Sequence, residues 1–268
     1  MANARIRRGV LYFLATPSYG EMLTVSLHSL RKWYHGNVVI IPGSRGAWRR
    51  AKVIAADHRL GAEVIASAVS CRRHPWQAKP QLPLSSPFHR TIYLDADTVI
   101  SGSIEELFPV GDEWVFTAMT GWRTNGRRYS PTIDRWAVAA PEAAAFVRTR
   151  PFWCVNAGVF AFASNGEPWR SRWDAVTMAH PTRTNDDPAM NLVYHETPHR
   201  VLDSRFNSLV DWHRAEPPRD VRVWHGAAKR FFRGASGRKL WFHAFAEALE
   251  DNAGSLWSRY HRFKTRGR

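Results

Sequence analysis

Four short apolar runs, at 10–16, 38–41, 62–66 and 91–94, divide the first hundred residues into strand-length pieces. Between the first two, Leu23, Leu27, Leu30 and Tyr34 recur at helical spacing over 21–34, and 49–60 reads as a second helix. Strands buried on both faces are apolar throughout rather than alternating, and strands that alternate with helices build parallel sheets. The pattern therefore predicts an α/β fold with a mostly parallel central sheet flanked by helices. The second half is less regular. It predicts strands at 114–119, 155–162 and 221–224, helices at 141–150, 168–178 and 188–194, and an aromatic helical stretch over 239–264 that ends in a basic tail.

The fourth run breaks directly into two acids, Tyr93-Leu94-Asp95-Ala96-Asp97. In an extended chain, side chains two residues apart point the same way, so Asp95 and Asp97 converge on one hard cation, Mn2+ or Mg2+. A cation held by few protein ligands completes its shell with substrate phosphates. The carboxyl end of a strand is also the edge at which open α/β sheets bind ligands.

Charge is the second constraint. Lys and Arg number 38 against 23 Asp and Glu, a formal +15, and only six of the 38 are Lys. Arginine's planar fork suits bidentate contacts to phosphate, so the surplus points to a polyanionic partner. The two cysteines, Cys71 and Cys154, form no CxxC pair, which signals neither a zinc site nor a disulfide framework and suits a reducing, cytoplasmic setting. The apolar part of the N-terminal segment is too short for a signal peptide's core and lacks a cleavage site; it reads as a first buried strand. No apolar run approaches the ~20 residues that span a bilayer.

Taken together, the motifs resemble those of GT-A type glycosyltransferases, and most closely the retaining family that contains glycogenin, galactinol synthases and bacterial lipopolysaccharide galactosyl- and glucosyltransferases. The resemblance runs from about residue 9 to 232. It implies a Rossmann-like GT-A domain over 1–235, with a basic aromatic helical extension over 236–268. It also implies a hexosyltransferase that uses a UDP-sugar donor and Mn2+ or Mg2+. Thr16 and Tyr19, after the first strand, would line the nucleotide pocket, and Lys79 would approach the sugar or diphosphate. Asp95 and the backbone of Ala96 would meet ribose, with Asp95 and Asp97 on the metal. In Asn156-Ala157-Gly158, Asn156 would bond the sugar and Gly158 would let the backbone approach the donor. In Asp186-Asp187-Pro188-Ala189-Met190-Asn191, Asp186 would bind a sugar hydroxyl and Asp187 would face the anomeric carbon. The family's final motif is His-x-x-Gly-x-x-Lys. Here Gly226 and Lys229 keep their spacing, with Lys229 on the diphosphate, but His225 adjoins the glycine and Val223 fills the usual histidine position. His225 reaches the metal only if the loop turns differently.

Two acceptors fit the charge. One is a hydroxylated base in modified, phage-type DNA, where the arginines meet phosphates and a tryptophan lies beside an extruded base. The other is a membrane glycolipid or lipopolysaccharide approached through the aromatic and basic C-terminal stretch, which would place the protein at the inner membrane surface. The spread of charge along the whole chain favours DNA. Nothing in the sequence calls for an obligate protein partner.

Overall fold

The structure, a computed structural model, describes residues 6–67, 69, 75–124, 141–142, 145, 152–164, 166–179, 186–209 and 220–226. Strands β1 (Ile6–Leu14), β2 (Asn37–Pro42), β3 (Ala62–Val64) and β4 (Phe88–Leu94) are the four runs expected in the first hundred residues. They are joined through helices α1 (Gly20–Arg31), α2 (Arg45–Ala55) and the short α3 (Leu82–Ser85). Next come β5 (Thr98–Ile100), β6 (Trp114–Thr124), β7 (Phe152–Ala163), α4 (Trp169–Ala179), α5 (Asp186–Val193), β8 (His199–Leu202), β9 (Ser208–Leu209) and β10 (Val223–His225).

The main sheet has seven strands in the order β3-β2-β1-β4-β7-β6-β8. Its pairings are parallel except on either side of β7, which runs against all the others. The expectation of a mostly parallel sheet between helices therefore holds. Alternation along β1 sorts the core into two layers: Val10, Tyr12 and Leu14 face α1 and α2, while Leu11 and Phe13 face the side covered by α4 and α5. On the α1 side Leu23, Leu27 and Leu30 meet Ile92 and Leu94. On the other side Trp169 and Trp173 of α4 pack against Trp114, and Phe160 stacks on Tyr93 at 4.7 Å.

Several boundaries move for local reasons. Helix α2 begins at Arg45 rather than 49, because Ser44 caps it by accepting from the Ala47 N–H, and it ends at Ala55. Strands β6 and β7 extend beyond the apolar cores that mark them in sequence, since backbone pairing continues into polar residues as far as Thr124 and Phe152. Of a second, three-stranded sheet, β5-β10-β9, only β10 matches an expected strand, that at 221–224. Three-residue and two-residue strands leave too few positions for a period to show. Of the helix expected at 141–150, only 141, 142 and 145 are described; the expected extension at 236–268 lies outside the described residues. No described helix is long and apolar enough to cross a membrane.

Candidate active site and metal centre

The reversal of β7 is what assembles the site. Its antiparallel register with β4 pairs Leu94 with Val159, so Gly158 falls opposite Asp95, where the Asp95 N–H donates to the Gly158 carbonyl at 2.8 Å. Asn156 and Ala157, earlier in β7, thereby lie past the carboxyl end of β4 rather than in the middle of the sheet. Thr16 stands beyond the carboxyl end of the neighbouring strand β1, half-buried, with Oγ1 2.6 Å from the Ser18 hydroxyl. Tyr19, in the turn before α1, packs partly buried against the α1-side core.

The Asp95–Asp97 turn is held from beneath by buried hydroxyls. Thr98 Oγ1 donates to the Asp95 carbonyl at 2.8 Å, so it must accept from Ser26 Oγ at 2.9 Å. Ser26 then accepts from the Tyr12 hydroxyl at 2.9 Å. This chain fixes the turn to α1 and β1. Burial drives the Tyr12 phenol well above its ordinary pKa, which keeps it a donor.

The second sheet delivers the histidine. Antiparallel pairing of β10 with β5 sets His225 against Thr98, the residue that follows Asp97. The Gly226 N–H closes the turn on the Asp97 carbonyl at 3.2 Å, with Gly226 at φ +72°, a conformation that favours glycine. His225 Nε2 consequently lies 3.3 Å from Asp97 Oδ1 and 3.4 Å from Asp95 Oδ2. Ligand atoms of Asp95, Asp97 and His225 all fall within 4.8 Å of one another. The shift of the histidine next to its glycine is accommodated because the β5–β10 ladder, rather than a longer loop, carries it to the acids.

Charge in this cluster is tightly compensated. Lys79, buried, donates from Nζ to Asp95 Oδ2 at 2.9 Å and to the Ala157 carbonyl at 3.0 Å, while Tyr93 donates its hydroxyl to Asp95 Oδ1 at 2.6 Å. Burial raises the Asp95 carboxyl, but the Lys79 ammonium, His225 and the Tyr93 hydroxyl outweigh it and hold the group well below the ordinary carboxylate range. Burial likewise depresses the His225 imidazole; the Asp97 carboxylate and the hydrogen bonds to Asp95 and Asp97 overcome this and lift it to about 9. An imidazolium between two carboxylates marks a place that prefers positive charge. A divalent cation satisfies that preference more fully than a proton does.

Two carboxylates and one imidazole are a donor set that Mn2+ accepts readily and Mg2+ also tolerates, and three protein ligands leave positions for substrate oxygens. The backbone is shaped for that set as well. A Cβ on Gly158 would lie 2.0 Å from His225 Cε1, so the glycine makes room for the imidazole. Gly158 thus accommodates the His225 ring directly.

The structure brings together Lys79, Asp95, Ala96, Asp97, Asn156, Ala157, Gly158, His225 and Gly226, with Thr16 and Tyr19 at the neighbouring strand end. Lys79 turns to Asp95 rather than outward. Asp186 and Asp187 open α5, which Asn191 clamps to β7 by accepting from the Val155 N–H at 2.8 Å and donating to its carbonyl at 2.7 Å. The side chains of Asp186 and Asp187 lie outside the described residues, as does Lys229 entirely. Asn207, in the turn before β9, was not singled out in the sequence, yet it contacts both His225 and Asn156. A lone Asn in Ser204-Arg205-Phe206-Asn207-Ser208 carries no periodic or motif signal.

The fold is similar to that of the galactosyltransferase LgtC, solved in complex with donor and acceptor sugar analogues: TM-score 0.60 and 15% identity, over 91% of this chain and 96% of that one. A structure of an active-site mutant of LgtC is similar at TM-score 0.58 and 16% identity, over 90% and 96% of the two chains. The likeness establishes the GT-A fold that the motifs implied. No protein-family model matches the chain, and no curated protein does.

Proposed function

We propose that this chain is a metal-dependent hexosyltransferase that moves a sugar from a nucleotide-sugar donor, a UDP-sugar, to an acceptor hydroxyl with retention of configuration. The convergence of Asp95, Asp97 and His225 at the carboxyl edge of a GT-A sheet carries this reading. Those three residues would hold Mn2+ or Mg2+, which when bound supplies positive charge to the oxygens of the departing diphosphate. Asp95 and the Ala96 backbone would also meet the ribose, with Thr16 and Tyr19 against the base. Lys79 keeps Asp95 ionised and fixed in orientation, and Lys229 would neutralise the leaving nucleotide. Gly226 would let the turn pass close to the diphosphate. Asn156, Ala157 and Gly158 would line the sugar, Asp186 would bind one of its hydroxyls, and Asp187 would face the anomeric carbon. Asp187 there stabilises an oxocarbenium-like centre or forms a covalent ester with it.

For the acceptor, a sugar hydroxyl is favoured. The similar galactosyltransferase was solved with an acceptor sugar analogue, whereas a DNA base rests on the surplus of positive charge alone. Incubation with radiolabelled UDP-hexoses and Mn2+, in the presence of glycolipid extract, free oligosaccharides or hydroxymethylated duplex DNA, separates these. Label in glycolipid or oligosaccharide is expected. Label in DNA alone overturns the acceptor assignment, and pyrophosphate release in place of UDP overturns glycosyl transfer in favour of nucleotidyl transfer.

A further inference from the structure

We propose that Asn207 is a positioning residue for His225, fixing which ring nitrogen carries the hydrogen and thereby presenting the Nε2 lone pair to the cation site. The inference rests on the metal-dependent reading above and concerns a residue that does not touch donor or acceptor.

The polarity of the contact follows from backbone groups whose roles are fixed. The Gly158 N–H donates to Asn156 Oδ1 at 2.9 Å, so that oxygen is an acceptor. The Asn207 atom 3.1 Å from the same oxygen must therefore be the amide NH2. Thr117 gives the same answer independently. Its Oγ1 donates to the Val159 carbonyl at 2.7 Å, which obliges it to accept from the Asn207 amide at 2.9 Å. With both hydrogens of Nδ2 directed at Thr117 and Asn156, the remaining Asn207 oxygen faces His225 Nδ1 at 2.9 Å. That oxygen has no hydrogen to give, so Nδ1 keeps its hydrogen and Nε2 is the nitrogen left to ligate. Asn207 and Thr117 are fully buried, and His225 is 6% exposed, so water does not compete for these bonds.

The network also explains why the metal residues and the Asn-Ala-Gly segment occur together. Asn156 holds Asn207, Asn207 holds the ring, and Gly158 leaves the space in which the ring lies. Metal-ligating histidines generally anchor their second nitrogen to a carboxylate or carbonyl oxygen, and loss of such a partner costs about 10–100-fold in metal affinity or activity. Here a side-chain amide does this, aimed by two oxygens behind it.

Mn2+ titration, followed by the loss of the free-ion electron paramagnetic resonance signal, tests the proposal without donor or acceptor. Asn207→Ala is expected to weaken Mn2+ binding about 10–100-fold, whereas Asn207→Asp, which keeps an oxygen toward Nδ1 but loses both donors, stays within about threefold of the wild type. If Asn207 merely braces Thr117 and Asn156, the Asp variant binds as poorly as the Ala variant, and that result overturns the proposal. So does an Ala variant that binds as tightly as the wild type. Each variant is informative alone, by the same thresholds. Should neither fold, Thr117→Val, which removes one acceptor behind the amide, is expected to weaken binding about tenfold, the lower end of that range, and affinity within about threefold of the wild type overturns the proposal. A wild-type protein that binds no Mn2+ overturns this inference and the metal-dependent reading together. A wild type that binds Mn2+ but transfers no sugar overturns only the latter.

Discussion

Gly158→Ala isolates the geometry on which the proposed metal centre depends. Gly158 lies outside the left-handed region, so alanine is sterically acceptable to the backbone itself. The new methyl would stand 2.0 Å from His225 Cε1 and 2.6 Å from both ring nitrogens. Ordinary van der Waals contact begins at 3.4 Å, so the ring must withdraw by about 1.4 Å, the difference. A displacement of that size breaks the 2.9 Å bond to Asn207 and carries Nε2 away from Asp95 and Asp97. Misplacing a catalytic group by about 1 Å costs on the order of 100-fold, so Mn2+ affinity is expected to fall about 100-fold. Overpacking should also lower stability by about 1–3 kcal/mol. Calorimetric Mn2+ titration and chemical denaturation measure the two effects separately. The double variant with His225→Ala removes the atoms the methyl strikes, so the stability loss from Gly158→Ala should largely vanish in that background, while metal binding stays weak. Wild-type Mn2+ affinity in Gly158→Ala would refute the reasoning, as would an equal stability loss with or without the imidazole.

Tyr93→Phe removes the 2.6 Å hydrogen bond to Asp95 and is expected to cost about 1.5–3 kcal/mol, the range for hydrogen bonds to charged groups, measured by urea denaturation in EDTA. Phe160→Ala opens the layer beneath Tyr93 and is expected to cost about 3–5 kcal/mol, with a further loss of Mn2+ affinity as Tyr93 loses its stacking partner. In the metal-free protein, His225 titrates above its unfolded value of 6.5, at about 9. Its contribution is therefore fully present below pH 6.5 and is lost as pH rises through 9, so the melting temperature in EDTA should fall across that window. The Asp95 carboxyl shifts the opposite way, so its contribution is present above the ordinary carboxylate pKa and is lost as the pH falls below it. Saturating Mn2+, which replaces the His225 proton, should flatten the alkaline decline; an unchanged decline would contradict the ligand assignment.

The first half of the fold was legible because its strands are buried on both faces. Leu11 and Phe13 meet one helical layer and Val10, Tyr12 and Leu14 the other, so the run is apolar without interruption. The acids were legible because Asp95 and Asp97 end such a run. Neither the β7 reversal nor the β5–β10 ladder is visible in periodicity. The first depends on which strands become neighbours, and the second on three-residue strands set about 120 residues apart. The histidine's displaced position in the motif therefore left its role open in the sequence, and only the register of Thr98 against His225 brings it to the acids. Asn207 was invisible for a related reason: its meaning lies in three partners, Thr117, Asn156 and His225, drawn from three separate strands.

The most direct measurement is UDP release from a panel of UDP-hexoses by the wild type and by Asp97→Ala, each with Mn2+ and with EDTA. A metal-dependent glycosyltransferase built on Asp95, Asp97 and His225 predicts UDP release by the wild type in Mn2+ alone, abolished by EDTA and in Asp97→Ala, with the variant still folded. Turnover that persists in EDTA, or an Asp97→Ala protein as active as the wild type, would contradict it.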